Sequence, residues 1–356
     1  MASRQQQFEG TREVRSAHRF DTARLDEYLR SHLEGYAGPL TVSQFKGGQS
    51  NPTYLLETAE ARYVMRRKPP GELLKSAHAV DREYRVISAL YAAGFPVPRP
   101  YLLCADIDIV GTMFYVMEFL EGRIVWDLDL PGFVPEERAA VYDSLNDTIA
   151  ALHNFDPAQL GLADYGKPGN YFSRQVSRWS RQYQASATQS IPAMDRLIEW
   201  LPENIPDDES ASLVHGDFRL DNVVLHAKEP RLIGVLDWEL STIGHPLGDF
   251  TYHLMAWQMP DIGIGSTGLA GKDLVPLGIP DEDAYIERYC GRTGRDGIDH
   301  RHFYSAYNFF RIAAILQGIA GRVRDGTAAS AHADRAADAV PPLAELGLGF
   351  AERAGA

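Results

Sequence analysis

The most constraining feature of this sequence is a change in its hydrophobic pattern near residue 120. Before that point, short runs rich in β-branched and aromatic residues alternate with glycine-containing turns, which is typical of antiparallel strands. After it, apolar residues recur every three or four positions, as in amphipathic helices. A single core rarely grows beyond about 250–300 residues, and this chain has 356. We therefore predict a strand-rich lobe over 1–118 and a helical lobe over 119–356, with the boundary near Glu118–Gly122.

The predicted elements follow this division. Residues 1–20 are polar, and we expect them to be loose. The first lobe is predicted to contain helices over 21–34 and 77–93 and strands over 40–45, 53–58, 62–66, 101–104 and 113–118. The second is predicted to contain helices from Pro135, over 171–187, 283–290 and 302–322, and in the Ala-rich tail, with brief strands over 212–215, 223–226 and 231–236.

Charge and cysteine content exclude several kinds of function. Lys and Arg number 35 and Asp and Glu number 48, so the net charge is −13, which argues against a nucleic-acid partner. Two cysteines, Cys104 and Cys290, cannot form a disulfide scaffold or a Cys-rich metal site. The sequence has no apolar run of the roughly 18 residues that a membrane span needs, and its first residues lack the apolar core of a signal peptide. We expect a soluble, cytoplasmic protein without a membrane partner.

A group of chemically active residues follows the predicted strand at 212–215. His215-Gly216-Asp217 leads into a loop, Asn222 comes five residues after the aspartate, and a later strand ends at Asp237. Phosphoryl transfer from a metal-bound nucleotide needs one carboxylate to orient and deprotonate an acceptor hydroxyl, and an amide and a second carboxylate to hold Mg²⁺. The pattern therefore predicts Asp217 as the base and Asn222 and Asp237 as metal ligands. Arg219 is predicted to neutralise charge on the transferred phosphoryl group.

The same stretch resembles the His-Gly-Asp catalytic loop of aminoglycoside phosphotransferase-like kinases, which are relatives of choline kinase. Leu236–Glu239 is similar to their metal-binding motif, and Gly244–Asp249 to the segment after it, except that His245 stands where an aspartate is common. Within this family, the resemblance is strongest to the kinase-like N-terminal half of the long animal acyl-CoA dehydrogenases and their free-standing bacterial counterparts. It covers about residues 35–325 and is carried by the stretches 63–71, 76–90, 218–226 and 310–322.

The resemblance implies an α+β, bilobal, protein-kinase-like fold, with a small antiparallel-sheet N-lobe and a mainly helical C-lobe. It also implies a nucleotide cofactor, ATP or GTP, with Mg²⁺. Arg66 matches the cation of the family's third strand and can bind phosphate bidentately, and Glu83 matches the acid that pairs with it. The backbone of the hinge at Glu118 and Leu120 would bind the adenine edge. The backbone of a glycine-rich turn would cover the phosphates through Gly47, Gly48, Ser50 and Asn51.

One stretch bears on the acceptor. Residues 165–194 contain no Asp or Glu, whereas Arg174, Arg178 and Arg181 share one helix face. A site for a polycationic antibiotic would need carboxylates, so this patch favours an anionic acceptor such as a CoA phosphate or a carboxylate. A solvated basic helix face is the competing explanation.

The sequence thus predicts an ATP- or GTP-dependent kinase for the hydroxyl of a small molecule, with a preference for an anionic hydroxyacyl-type acceptor. Two alternatives stay open: a pseudokinase that acts as a binding module, suggested by Arg66 and His245, and an aminoglycoside antibiotic kinase. The tail that contains Pro341 and Pro342 either packs on the C-lobe or mediates a homodimer.

Overall fold

The computed structural model describes residues 5, 9–47, 51–70, 79–260, 268–324 and 336–356. The chain divides into two compact units. We call the first the sheet unit; it comprises Met1–Asp127, Ala158–Leu162 and Arg219–Ser241. We call the second the helical unit; it comprises Leu128–Pro157, Ala163–Phe218 and Thr242–Ala356.

Eleven strands lie in the described residues. They are β1 (Thr11–Arg12), β2 (Thr41–Phe45), β3 (Thr53–Glu57), β4 (Arg62–Arg67), β5 (Pro100–Cys104), β6 (Phe114–Glu118), β7 (Gly122–Arg123), β8 (Ser212–Val214), β9 (Val223–His226), β10 (Leu232–Val235) and β11 (Thr242–Gly244).

Ten α-helices lie in the described residues. They are α1 (Thr22–His32), α2 (Val80–Ala92), α3 (Ile107–Val110), α4 (Pro135–Asn154), α5 (Tyr171–Ser186), α6 (Pro192–Glu203), α7 (Pro246–Gln258), α8 (Glu282–Thr293), α9 (Arg301–Arg324) and α10 (Ala336–Arg353). The α+β prediction is confirmed.

The sheet unit is built on a six-stranded sheet in the order β1-β2-β3-β4-β6-β5, with antiparallel neighbours throughout. Helix α1 begins after Asp21, whose carboxylate accepts hydrogen bonds from the backbone N–H groups of Ala23 and Arg24 and so caps the helix. Its leucines, Leu25 and Leu29, are fully buried in a core that the sheet shares with α1. Helix α2 contacts β5 and β6.

A second, three-stranded sheet, in the order β10-β9-β7, belongs to the sheet unit. Gly122 of β7 lies opposite His226 of β9, and a side chain at Gly122 would collide with the carbonyl oxygen of Leu225. This pairing explains why Arg219–Ser241 belongs to the sheet unit, whereas the hydrophobic pattern predicted all residues after 118 in the helical lobe. Strand pairing between distant segments carries no local sequence signal.

The helical unit contains the short β8–β11 ladder and, within the described residues, seven α-helices, α4 to α10. Helix α10 packs on α9 and α6 and buries an apolar face that includes Val340, Leu343 and Ala344. The tail therefore packs within its own unit, and the predicted homodimer stays a prediction. Helix α6, which carries a proline near each end, was not predicted from the sequence.

The helix predicted over 77–93 is described from Val80, and residues 77 and 78 lie outside the described residues. Within the described ranges, no helix is both long and apolar enough to cross a membrane.

Candidate active site

Strand β4 directs two neighbouring arginines to opposite faces of the six-stranded sheet. Side chains alternate along a strand, so Met65 and Arg67 face the core beside α1, and Arg66 faces the other way. Arg67 donates to the backbone oxygen of His18 at 2.8 Å and to the Tyr54 hydroxyl at 3.0 Å. Of the two arginines, Arg66 is therefore the one that lies on the same face of the sheet as Glu83.

Arg66 is buried among three carboxylates of the sheet unit, with only 7% of its surface exposed. Its Nε lies 3.1 Å from Glu83 Oε2, and its Nη2 lies 2.9 Å from Asp237 Oδ1. Glu239 Oε2 is 3.8 Å from the same Nη2. The structure thus brings together Arg66, Glu83 and Asp237, which are widely separated in the sequence. We call these residues, with Glu239, the arginine cluster.

Neutral side chains complete the hydrogen bonding of Glu83, which is 1% exposed. The Tyr115 hydroxyl donates to Glu83 Oε2 at 3.0 Å. The Asn51 amide donates to Glu83 Oε1 at 2.8 Å and to Glu239 Oε2 at 3.3 Å. The Asn51 side chain therefore braces the cluster. Its predicted role, through the backbone at the phosphates, stays a prediction.

Burial and neighbouring charges have opposite effects on the pKa values of Glu83 and Arg66. Burial raises the pKa of Glu83, and the positive charge of Arg66 offsets part of that rise. Burial alone would lower the pKa of Arg66, but Glu83, Asp237, Tyr115 and Glu239 hold it well above its usual value. One guanidinium cannot neutralise three carboxylates, so the cluster carries excess negative charge when all three are ionised.

Asn222 and Asp237 lie at the open end of the β9–β10 hairpin. Val223 is opposite Val235 in the ladder, and the Leu236 N–H donates to the Asn222 carbonyl oxygen at 2.8 Å. Asp237 adopts the left-handed conformation, with φ 64° and ψ 60°, which aspartate tolerates better than most residues. The two predicted metal ligands are thus neighbours in space.

The chemistry of these side chains fits Mg²⁺. The ion prefers oxygen ligands and is commonly held by one or two carboxylates together with the phosphates of a substrate. Asn222 supplies an amide oxygen and Asp237 a carboxylate, beside a cluster in which negative charge exceeds positive charge.

In the helical unit, the backbone before Asp217 is held by one buried carboxylate. Asp249 accepts hydrogen bonds from the N–H groups of His215 and Gly216, each at 2.8 Å. Gly216 has φ 84°, a conformation that glycine adopts without steric cost. His215 is fully buried, and its Nδ1 accepts the Asp217 N–H at 3.2 Å, which is consistent with a bracing role. The Tyr252 hydroxyl donates to Asp217 Oδ1 at 2.6 Å.

His245, which replaces the aspartate common in the family, has a carboxylate partner from elsewhere in the helical unit. Its Nε2 lies 3.1 Å from Asp208 Oδ2, and its ring is buried against Phe172 and Tyr304. Burial lowers the pKa of His245, against the opposing effect of Asp208.

The other site residues predicted in the sheet unit are either engaged in contacts of their own or lie outside the described residues. Arg219 Nη2 lies 3.3 Å from Asp221 Oδ2. The Glu118 N–H donates to the Arg99 carbonyl oxygen at 2.8 Å, so this hinge donor is engaged within the sheet. The Leu120 side chain occupies the space that a side chain at Gly234 would need. Gly47 is described, whereas Gly48 and Ser50 lie outside the described residues.

The predicted basic patch lies on α5. Arg174 donates to the carbonyl oxygens of Lys167 and Gly169, so it fixes the loop before the helix. Arg178 and Arg181 are exposed. The Arg178 guanidinium lies 4.9 Å from the ring centroid of Trp179. Two of the three arginines thus face solvent.

Several contacts that build the site have no local signal in the sequence. Tyr115 reaches Glu83 from β6, where it lies opposite Arg66 in the ladder. Tyr252 reaches the Asp217 carboxylate from α7, and Arg311 reaches the Gly216 carbonyl oxygen from α9. Both residues look like ordinary members of helices in the sequence, because only the tertiary packing brings them to the loop.

An antiparallel sheet with a cation on an inner strand, paired with an acid on the following helix and with an aspartate after a hairpin, is the arrangement of a phosphotransferase of the protein-kinase-like class. Residues 41–294 match the model of the phosphotransferase enzyme family named APH, and the chain belongs to that family.

The chain is similar to acyl-CoA dehydrogenase family member 11 of Rattus norvegicus, with 47% identity over 353 residues. The match covers 96% of this chain but only 45% of the rat protein. The chain thus spans less than half the length of this relative. The predicted similarity to the acyl-CoA dehydrogenase-linked branch is confirmed.

Solved structures agree with this assignment. A protein of Ralstonia eutropha JMP134, provisionally named an aminoglycoside phosphotransferase, is 52% identical with a TM-score of 0.86; the match covers 94% of this chain and 99% of that chain. Spectinomycin phosphotransferase, solved with ADP and spectinomycin, has a TM-score of 0.63 at 13% identity and shows the shared fold alone; that match covers 93% of this chain and 98% of the other. The protein-kinase-like fold predicted from the sequence is confirmed.

The arginine cluster predicts a pH-dependent loss of stability in Arg66→Met. Without Arg66, ionised Glu83 is buried and unpaired, which should cost about 3–5 kcal/mol. The already raised pKa of Glu83 would rise further, so the folded state would hold a proton that the Glu83 carboxyl of the unfolded chain releases above its ordinary pKa of 4.5. Stability should therefore fall as pH rises, and the loss relative to wild type should be larger at pH 8 than at pH 5 in urea unfolding.

The matched control is Arg66→Met in a Glu83→Gln background, where most of this pH dependence should disappear. An equal loss of stability at both pH values in the single variant would contradict the assignment of Glu83 as the uncompensated charge.

Proposed function

We propose that this protein is an ATP- or GTP-dependent kinase that phosphorylates a hydroxyl group of a small molecule. The observation that carries the proposal is the buried arginine cluster, in which Arg66 contacts both Glu83 and Asp237. Membership in the phosphotransferase enzyme family supports the same reaction class. ADP in the solved spectinomycin phosphotransferase supports the use of a nucleotide.

Each proposed role follows from the charge and hydrogen bonding of its side chain. Asp217 would orient the acceptor hydroxyl and take its proton as the oxygen attacks the terminal phosphorus of the nucleotide, while the bond from that phosphorus to the bridging oxygen breaks and the nucleoside diphosphate leaves. Arg66, held by Glu83, would position the nucleotide phosphates. Arg219 would stabilise the charge on the transferred phosphoryl group. The backbone of Gly47, Gly48, Ser50 and Asn51 is proposed to cover the phosphates, and that of Glu118 and Leu120 to bind the base.

Asn222 and Asp237 are proposed to hold Mg²⁺. When bound there, the ion supplies positive charge that neutralises the phosphates. The oxygen ligands and their position at the end of one hairpin support this role. Asp237 would then exchange part of its interaction with Arg66 for the metal.

The acceptor is proposed to be an anionic hydroxyacyl compound. Exposed Arg178 and Arg181 on α5 can attract a carboxylate or a CoA phosphate. The rat relative is named as a member of an acyl-CoA dehydrogenase family, which places a segment similar to this chain in a protein named for acyl-CoA chemistry. An aminoglycoside acceptor is the second candidate, because the Ralstonia eutropha protein carries that provisional name.

Nucleotide binding should depend on both the metal and Asp237. In calorimetric titrations of ATP and GTP with and without Mg²⁺, we expect tight wild-type binding only with the metal. Asp237→Ala should lose this metal dependence, because it removes the carboxylate ligand. Glu60→Ala, which removes an exposed carboxylate in the turn between β3 and β4, should behave as wild type. Undiminished Mg²⁺ dependence in Asp237→Ala would remove this residue from the metal site.

Turnover should depend on Asp217. Asp217→Asn should lower kcat by about 10²–10⁴-fold, because proton acceptance is lost. Its affinity for the nucleotide should stay near that of wild type. The assay measures ADP release with three acceptor sets, namely hydroxyacyl-CoA thioesters, free hydroxy acids and aminoglycosides. Mass spectrometry then identifies the phosphorylated compound.

The outcomes of this screen separate the alternatives. Phosphorylation of hydroxyacyl compounds supports the proposal, whereas phosphorylation of aminoglycosides alone supports the antibiotic kinase. Nucleotide binding without turnover of any acceptor supports a pseudokinase. Full activity in Asp217→Asn would refute Asp217 as the base.

If α5 binds an anionic acceptor, its exposed arginines should affect KM. Replacing both Arg178 and Arg181 by Gln should raise KM for a CoA thioester roughly 3- to 10-fold, since exposed ion pairs each contribute up to about 1 kcal/mol. The value of kcat should change little. Arg196→Gln, on neighbouring α6, is the control, because it removes an exposed arginine outside the patch. Equal KM values in the double variant and wild type would leave α5 as a solvated basic face.

A further inference from the structure

Two residues outside the catalytic motif contact the loop that carries Asp217. Tyr252 lies on α7 and donates its hydroxyl hydrogen to Asp217 Oδ1, with 2.6 Å between the oxygens. Arg311 lies on α9 and donates from Nη2 to the Gly216 carbonyl oxygen at 2.7 Å. One helix therefore contacts the carboxylate, and another contacts the backbone one residue before it. All of these residues belong to the helical unit.

Arg311 also joins these two contacts to each other. Its guanidinium carbon lies 5.0 Å from the ring centroid of Tyr252, within the range of a cation–π interaction. A second ring, that of Trp179, lies 6.0 Å away. Arg311 therefore supports the ring of Tyr252 while it holds the loop at Gly216.

Burying the charged side chain of Arg311 at this position costs free energy. It is only 7% exposed, so its charge has lost most of its contact with water. Burial alone would lower the pKa of Arg311, but Tyr307, Tyr171, Tyr252 and Asp217 raise it, so the side chain stays charged. Taking a charge out of water costs free energy of desolvation, which is consistent with a role beyond the stability of the fold.

We propose that Tyr252 and Arg311 are positioning residues that hold the carboxylate of Asp217 in one orientation for proton acceptance. This inference rests on the proposed function, in which Asp217 is the base. A carboxylate that rotates about its side-chain bonds spends part of its time turned away from the acceptor. The hydroxyl of Tyr252 fixes one carboxylate oxygen, and Arg311 fixes both the ring of Tyr252 and the backbone at Gly216.

A double-mutant cycle tests this coupling. The four proteins are wild type, Tyr252→Phe, Asp217→Asn and the double variant. The rate measured is turnover of Mg·ATP, with water and with the most active compound of the acceptor screen. Tyr252→Phe should lower kcat about 10- to 100-fold, the value of a hydrogen bond to a charged group. KM for the nucleotide should stay within twofold of wild type.

The effect of Tyr252→Phe should disappear in the Asp217→Asn background, because Tyr252 acts through the carboxylate. An equal reduction in both backgrounds, or a kcat within twofold of wild type in the single variant, would overturn the proposal. Tyr142→Phe is the matched control. It removes a hydroxyl that donates to the Leu128 carbonyl oxygen in the same unit, so it should leave kcat unchanged.

Crystal structures of wild type and Tyr252→Phe test the orientation of the Asp217 carboxylate directly, whether or not turnover can be measured. The Asp217 carboxylate should have one orientation in the wild type and several in the variant, whereas an unchanged single orientation would overturn the proposal. Arg311→Lys keeps the charge but loses the planar contact with Tyr252, and it should give the same disorder in a milder form. If wild type is inactive with every acceptor and with water, the kinase proposal fails, and these structures still decide the positioning role.

Discussion

The burial of Arg66 is the constraint on which the arrangement of the sheet unit depends. A guanidinium that is 7% exposed must be compensated by charge, and the compensation comes from distant parts of the chain: Glu83 from α2, and Asp237 and Glu239 from the turn after β10. These contacts fix the helix and the hairpin relative to β4. The neutral partners Tyr115 and Asn51 then satisfy Glu83, so removal of any member leaves a buried polar group without its partner.

In the helical unit, a single buried carboxylate holds the loop of Asp217. One carboxylate, that of Asp249, accepts both backbone N–H groups before Asp217, and it also lies 3.2 Å from His153 Nε2. Burial alone would raise the pKa of Asp249, but hydrogen bonding and charge from His153, together with His215, hold it below its usual value. Asp249 thus stays an ionised acceptor, and the loop geometry depends on that charge.

The sequence predicted most of the local structure because its signals were local. The start of α4 at Pro135 is read from neighbouring residues, whereas the choice of Arg66 over Arg67 came from the resemblance to the family's third strand. The contacts of Tyr252 and Arg311 were not predicted, since both residues lie within helices and only tertiary packing brings them to the loop. The division of the chain was predicted as a single boundary, whereas pairing of β9 with β7 assigns Arg219–Ser241 to the sheet unit. Long-range pairing and tertiary packing have no periodic pattern in the chain.

Under the proposed function, the excess negative charge of the arginine cluster makes the binding of metal and the binding of nucleotide depend on each other. Three carboxylates face one guanidinium, so a nucleotide phosphate that arrived alone would add negative charge to a region that already has too much. A divalent cation at Asn222 and Asp237 would reverse this balance, and it would also reduce the demand of Asp237 on Arg66. Metal and phosphate should therefore each increase the affinity for the other, because linkage between two ligands is reciprocal. The buried Arg66–Glu83 pair would stay in place throughout, since Glu83 is too deeply buried to be left ionised without it.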